Sequence, residues 1–82
     1  MKIYVKMFPI AGICEAAREM ELELGEGNLD ELLIFVREHA GVTDLPLETL
    51  MFLLNGRGID IQENVQFRDG DHLWLLPKIY GG

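Results

Sequence analysis

The 82-residue chain ends on Gly81-Gly82 directly after an apolar run, and these two residues carry the chemistry that stands out most in the sequence. Gly makes up about 7% of ordinary chains, so a closing pair arises by chance in roughly one chain in 200. An α-carboxyl on Gly82 has a reference pKa of about 3.5 and is ionised at neutral pH. Such a carboxylate is a competent nucleophile toward the α-phosphate of ATP, but it does not acylate anything until it is activated. Adenylation makes it a mixed anhydride, from which a persulfide sulfur can displace AMP and leave a thiocarboxylate. Gly at both positions removes the Cβ that would obstruct attack at the carbonyl and opens φ values closed to other residues. Residues 78–82 follow Pro77, and five residues extend at most about 16–18 Å, enough to enter a buried site on another protein. The expected organisation is a globular domain over residues 1–77 and a flexible tail over 78–82. Gly82 is the reacting group, and Gly81 gives it freedom.

The other reactive side chains offer less. Cys14 is the single cysteine, with no partner for a Cys-x-x-Cys motif and no nearby His, and reads as a small hydrophobe or a loop thiol. His39 falls near a helix C-terminus, where the dipole favours its charged form. Two histidines far apart in sequence and one cysteine do not make a metal site. The sequence contains neither a P-loop nor a Gly-rich dinucleotide fingerprint. No catalysis by this chain alone and no bound cofactor are therefore expected. A formal net charge of −7 repels phosphate backbones and anionic lipids, which argues against nucleic acid or membrane and for a basic protein partner. The longest apolar run, Leu50 to Leu54, is too short to span a bilayer. Met1 to Lys6 alternates polar with apolar, unlike a secretory signal. A single thiol fits a reducing compartment, so the expected location is cytoplasmic.

The elements that must hold out the tail follow from periodicity. Ile3, Val5 and Met7 alternate with Lys2, Tyr4, Lys6 and Phe8, as in a half-buried strand. From Arg18 to Leu24, Met20, Leu22 and Leu24 alternate with Glu19, Glu21 and Glu23. Lys2 and Lys6 can face that glutamate stripe across an antiparallel pair. After Gly25-Glu26-Gly27, Asn28 reads as an N-cap with Glu31 three residues on, and Leu29, Leu32, Leu33, Val36 and Ala40 form a helical stripe closed by Gly41. Leu50 to Leu54 is apolar without alternation and reads as a central strand covered on both faces. Asn55-Gly56 signals a turn, Ile59-Asp60-Ile61 a brief edge segment, and His72 to Leu76 the last strand. The order strand, strand, helix, strand, short strand, strand describes an α+β, β-grasp (ubiquitin-like) domain, a mixed sheet of four to five strands with one main helix across one face.

Facing within the last strand stays open at this level. If Leu73 and Leu75 point to the helix, then His72, Trp74 and Leu76 line the opposite sheet face with Tyr4 and Phe8, an uncovered aromatic patch of the kind that marks partner sites. Alternatively Trp74 fills a core. On the first reading, Phe8, Trp74, Leu76, Pro77, Lys78, Ile79 and Tyr80 contact the partner. Glu19, Glu21, Glu23, Asp30, Glu31 and Glu38 form a solvated face that can also steer a basic partner. Asp69-Gly70-Asp71 is read as a turn.

The first strand ending in Phe8, Asn55-Gly56 after the third strand, Asp69-Gly70-Asp71 before the last strand, and Leu76-Pro77 leading to Gly81-Gly82 together resemble the ubiquitin-like sulfur-carrier family. Within that family the likeness is to the small subunits of molybdopterin synthase, with the thiamine sulfur carriers as relatives. The resemblance implies that the Gly82 carboxylate is adenylated by an activating enzyme, which uses ATP and a sulfur donor. It also implies that the resulting thiocarboxylate gives its sulfur to a pterin precursor held by a large synthase subunit or another sulfur-accepting enzyme. Two alternatives share the tail: a ubiquitin-like modifier joined to lysines, and a sulfur donor for thiamine or another sulfur-containing metabolite.

Overall fold

Two strands, a helix and three further strands make up the computed structural model, which describes residues 1–78. They are β1 (Lys2–Met7), β2 (Arg18–Glu23), α1 (Leu29–Ala40), a 3₁₀ turn (Leu47–Thr49), β3 (Leu50–Leu54), β4 (Arg57–Ile59) and β5 (His72–Pro77). The spatial order β2-β1-β5-β3-β4 gives one five-stranded sheet. Only β1 and β5 are parallel; β1–β2, β3–β5 and β3–β4 are antiparallel. The β-grasp expectation holds, with α1 across one face.

Alternation decides which side chains meet that helix. Ile3, Val5 and Met7 of β1, Met20 and Leu22 of β2, Phe52 of β3, and Leu73 and Leu75 of β5 are buried with Leu29, Leu32, Leu33 and Val36 of α1. The helix is set by its ends. The Asn28 side chain accepts the Glu31 N–H at 2.8 Å, the N-cap contact expected of an Asn before an apolar stripe. Glu31 reaches back, accepting N–H groups from Gly25 (2.8 Å), Glu26 (3.0 Å) and Gly27 (2.8 Å). Those three amides, Gly25's first and then Gly27's, hold the Glu31 carboxyl below its ordinary 4.5 because they bond its charged form. At the other end Gly41 takes φ 70°, with Gly41 N–H donating to Glu38 O and Val42 N–H to Arg37 O, a Schellman motif. The Arg18 guanidinium also donates to His39 O at 2.8 Å, tying the start of β2 to the end of α1.

Three sequence expectations change. Leu50 to Leu54 is not covered on both faces: Leu50 and Phe52 are buried, whereas Met51 is exposed. One helix covers one face of a sheet, and the centre of the sheet is β5 rather than β3. The edge strand is Arg57–Ile59 rather than 59–61. Asn55 and Gly56 take φ 52° and 85°, a tight hairpin turn that starts the return strand at once. Asp60 then leaves the sheet, its side chain accepting the Gln62 N–H at 2.9 Å. The Asp69-Gly70-Asp71 turn also does more than reverse the chain. Gly70 N–H donates to Lys2 O, Asp69 accepts Lys2 N–H, and Asp71 accepts from Arg68 N–H and Asn55 Nδ2. The starts of β1 and β5 and the β3–β4 turn are thereby joined at one end of the sheet.

Candidate functional site

The face of the sheet turned away from α1 has no layer upon it among the described residues, and its side chains fall into rows set by register. The β1–β5 pairing puts Tyr4 beside His72 and Lys6 beside Trp74. The β1–β2 pairing continues these rows to Glu21 and Glu19, and the β3–β5 pairing sets Leu53 beside Trp74 and Met51 beside Leu76. Phe8 follows β1, its N–H donating to Leu75 O at 2.9 Å.

The rings on this face touch. Tyr4 and His72 are stacked with centroids 4.9 Å apart and planes 18° from parallel. Phe8 and Trp74 meet at 5.3 Å and 60°, within the range of favourable tilted pairs. Lys6 Nζ lies 5.0 Å over the Phe8 ring, a cation–π distance. The facing of Trp74 is therefore settled: it is 43% exposed on the open side, while its neighbours Leu73 and Leu75 are fully buried under the helix. Long-chain ion pairs border the β2 side, Lys2–Glu21 at 3.7 Å and Lys6–Glu19 at 4.0 Å, as the facing stripes predicted.

Of the residues singled out from sequence, Phe8, Trp74 and Leu76 come together on this face. Pro77 lies opposite Leu50 at the end of β5, on the helix-side parity and half-buried. Lys78 is exposed, but its N–H donates to Thr49 O at 2.8 Å, so the ladder with β3 runs one residue past the strand. Ile79, Tyr80, Gly81 and Gly82 lie outside the described residues. Sequence reasoning missed Met51 and Leu53, because an unbroken apolar run hides its own parity; the signal available was that a single helix leaves every strand one open face. Cys14 is half-buried, its Sγ 3.6 Å from Phe8 O, a weak donor contact in the loop after β1. Among the described residues no cluster of His, Cys, Asp or Glu is placed to hold a metal ion, and no helix is long and apolar enough to cross a membrane.

The fold that presents this apolar, aromatic face has counterparts among known proteins. The chain is 28% identical to the molybdopterin synthase sulfur carrier subunit of Chlamydomonas reinhardtii over 83 aligned positions, covering 100% of both. It also superposes on a chain from the complex of subunits 1 and 2 of molybdopterin-converting factor from Helicobacter pylori 26695, with a TM-score of 0.69, 28% identity and 100% of both chains covered. The chain resembles the ubiquitin-like sulfur carriers along its whole length. SAMP1 from Haloferax volcanii shares the fold, with a TM-score of 0.75 at 18% identity over 100% of both chains. No family model matches the chain. The likeness is thus one of sequence to a molybdopterin synthase sulfur carrier subunit and of sequence and architecture to a chain of the molybdopterin-converting factor complex.

Proposed function

We propose that this chain is a sulfur carrier that works in the cytoplasm in the biosynthesis of molybdopterin. The observation that carries the reading is the likeness, across 100% of both chains, to a molybdopterin synthase sulfur carrier subunit, in a chain that carries the Gly81-Gly82 pair. The structural neighbour in a two-subunit complex of molybdopterin-converting factor supports a large-subunit partner for this chain as well.

The chemistry is that of the tail. An activating enzyme presents ATP to the Gly82 carboxylate; one carboxylate oxygen bonds the α-phosphorus and pyrophosphate leaves. A persulfide of the sulfur donor then attacks the acyl carbon, and AMP leaves with the C–O electron pair. A second thiol attacks the donor's own cysteine sulfur in the resulting acyl disulfide, forming a new disulfide with it and leaving the transferred sulfur on Gly82 as a thiocarboxylate. The large subunit positions the pterin precursor that accepts this sulfur. The chain itself binds neither ATP nor a cofactor and catalyses no step; it docks through the face around Phe8, Trp74 and Leu76 and delivers Gly82 along Lys78, Ile79 and Tyr80.

Intact-mass spectrometry of the chain isolated from its own cells tests this. The expected result is a population heavier by the exchange of one oxygen for sulfur, abolished by deletion of Gly81 and Gly82. Only unmodified chain, under conditions where pterin synthesis is active, would overturn the reading. Chain found only as Gly-Gly adducts on lysines of other proteins would replace it with a protein-modifier role.

A further inference from the structure

The outer sheet face is not flat. Between the β2 edge and the β1–β5 pair it dips into a concavity lined by Tyr4, Lys6, Glu19, Glu21, His72 and Trp74. One wall is aromatic, formed by the Tyr4–His72 stack and Trp74. The other wall is anionic, with the Glu19 and Glu21 side chains 78% and 62% exposed. Each carboxylate is paired with its lysine only through a long ion pair. Lys2 stands 3.7 Å from Glu21 and Lys6 4.0 Å from Glu19, both beyond hydrogen-bond length, and Lys6 is shared with the Phe8 ring.

We propose that this concavity receives an arginine side chain from the protein that docks on the outer face; the inference rests on the reading of that face as a docking surface and names what the docking protein must bring. A guanidinium is planar and weakly hydrated, so it stacks on a ring while its N–H fork pairs with a carboxylate. Both surfaces stand here on opposite walls of one recess. An ammonium is a compact, strongly hydrated point charge that gains little from the aromatic wall. An apolar side chain would cover Glu19 and Glu21 without pairing them, which costs free energy.

The probe is Nα-acetyl-arginine amide, titrated into the ¹⁵N-labelled full chain and followed by NMR, with Nα-acetyl-lysine amide as the comparison. The expected result is a saturable displacement of the Trp74 indole N–H and the Tyr4 and His72 amide signals, with lysine weaker by about threefold or more. A Glu19→Gln, Glu21→Gln double variant, whose fold is checked by the unchanged remainder of its spectrum, should weaken arginine by a similar factor. Equal response to the two amides, displacements spread linearly over the acidic surface, or undiminished binding by the double variant would each overturn the proposal. Sulfur loading on Gly82 is read separately by mass, so failure here and failure of the carrier reading leave different records.

Discussion

Leu75→Ala and Trp74→Ala alter adjacent residues of the central strand, yet they should have opposite consequences. Leu75 is fully buried beneath α1, and truncating a buried Leu to Ala costs about 2–5 kcal/mol through lost transfer energy and the cavity left behind. At about 0.05–0.15 kcal/mol per residue, a domain of this size has roughly 4–12 kcal/mol in total, so the substitution removes a large part of it. At about 4–8 °C per kcal/mol for a domain of this length, the melting temperature should fall by at least about 8 °C. Trp74, by contrast, keeps 43% of its surface in solvent, and its ring partner is Phe8 at 5.3 Å. Losing such an aromatic contact costs about 0.5–1.5 kcal/mol, about 2–12 °C by the same conversion, so Trp74→Ala should melt above Leu75→Ala. The loss of Trp74 should appear chiefly in docking: a central Trp at an interface is worth about 2 kcal/mol or more, or roughly 30-fold in Kd. Differential scanning calorimetry and titration calorimetry with the proposed large-subunit partner measure the two effects. A Trp74→Ala chain that melts as low as Leu75→Ala, or that binds the partner as tightly as the parent, would refute the division of β5 into a core side and a docking side.

Three further outcomes follow from the same geometry. Glu31→Gln should lower stability at neutral pH. Because the folded Glu31 carboxyl is held below 4.5, its contribution is fully present above that value and lost as the pH falls through the folded pKa, so the gap between parent and variant should close in acid melts. Gly41→Ala places a Cβ at φ 70° with open space around it, so it carries only the left-handed backbone cost of about 1–2 kcal/mol, visible as a shift in a urea midpoint without change in slope. Deleting Gly81 and Gly82 should leave the melting temperature unchanged and abolish sulfur loading; retained loading in the mass spectrum would remove Gly82 from the reaction.

The legible parts of the sequence were those governed by local chemistry. Alternation in Lys2–Met7 and Arg18–Glu23, the Asn28–Glu31 cap, the Gly41 stop and the Asn55-Gly56 turn each rest on a few neighbouring residues, and each appears in the structure. What the sequence left open depends on partners far along the chain. Leu50 to Leu54 has no polar residue to declare an outer face, so its one-sided burial comes only from pairing with β5 and from the single helix beneath. The facing of Trp74 was undecided for the same reason: it follows from the parallel register with β1, in which Val5 and Leu73 share the buried side. Glu31 was legible as a capping residue, but its three bonds to the Gly25-Glu26-Gly27 turn require a loop geometry that spacing alone does not specify.

The position of β5 bears on how a tail carried by this domain would work. The strand is paired on both sides as far as Leu75, with β1 through Met7 and the Phe8 N–H and with β3 from Leu50 to Leu54. Beyond Leu75 only β3 continues alongside, through Met51–Leu76, Leu50–Pro77 and the Lys78 N–H to Thr49. On the carrier reading, the tail's root is then Lys78, whose N–H is bonded to Thr49 O. Residues 79–82 then span at most about 13–14 Å, several ångströms less than a tail hinged at Pro77. Trp74 and Leu76 share an outward face four and two residues before that root, so a partner seated on them holds the origin of the tail almost directly. The depth of the partner's channel below its docking surface should match the shorter reach, and inserting a single Gly between Lys78 and Ile79 should restore transfer in a partner whose channel has been deepened by one residue length.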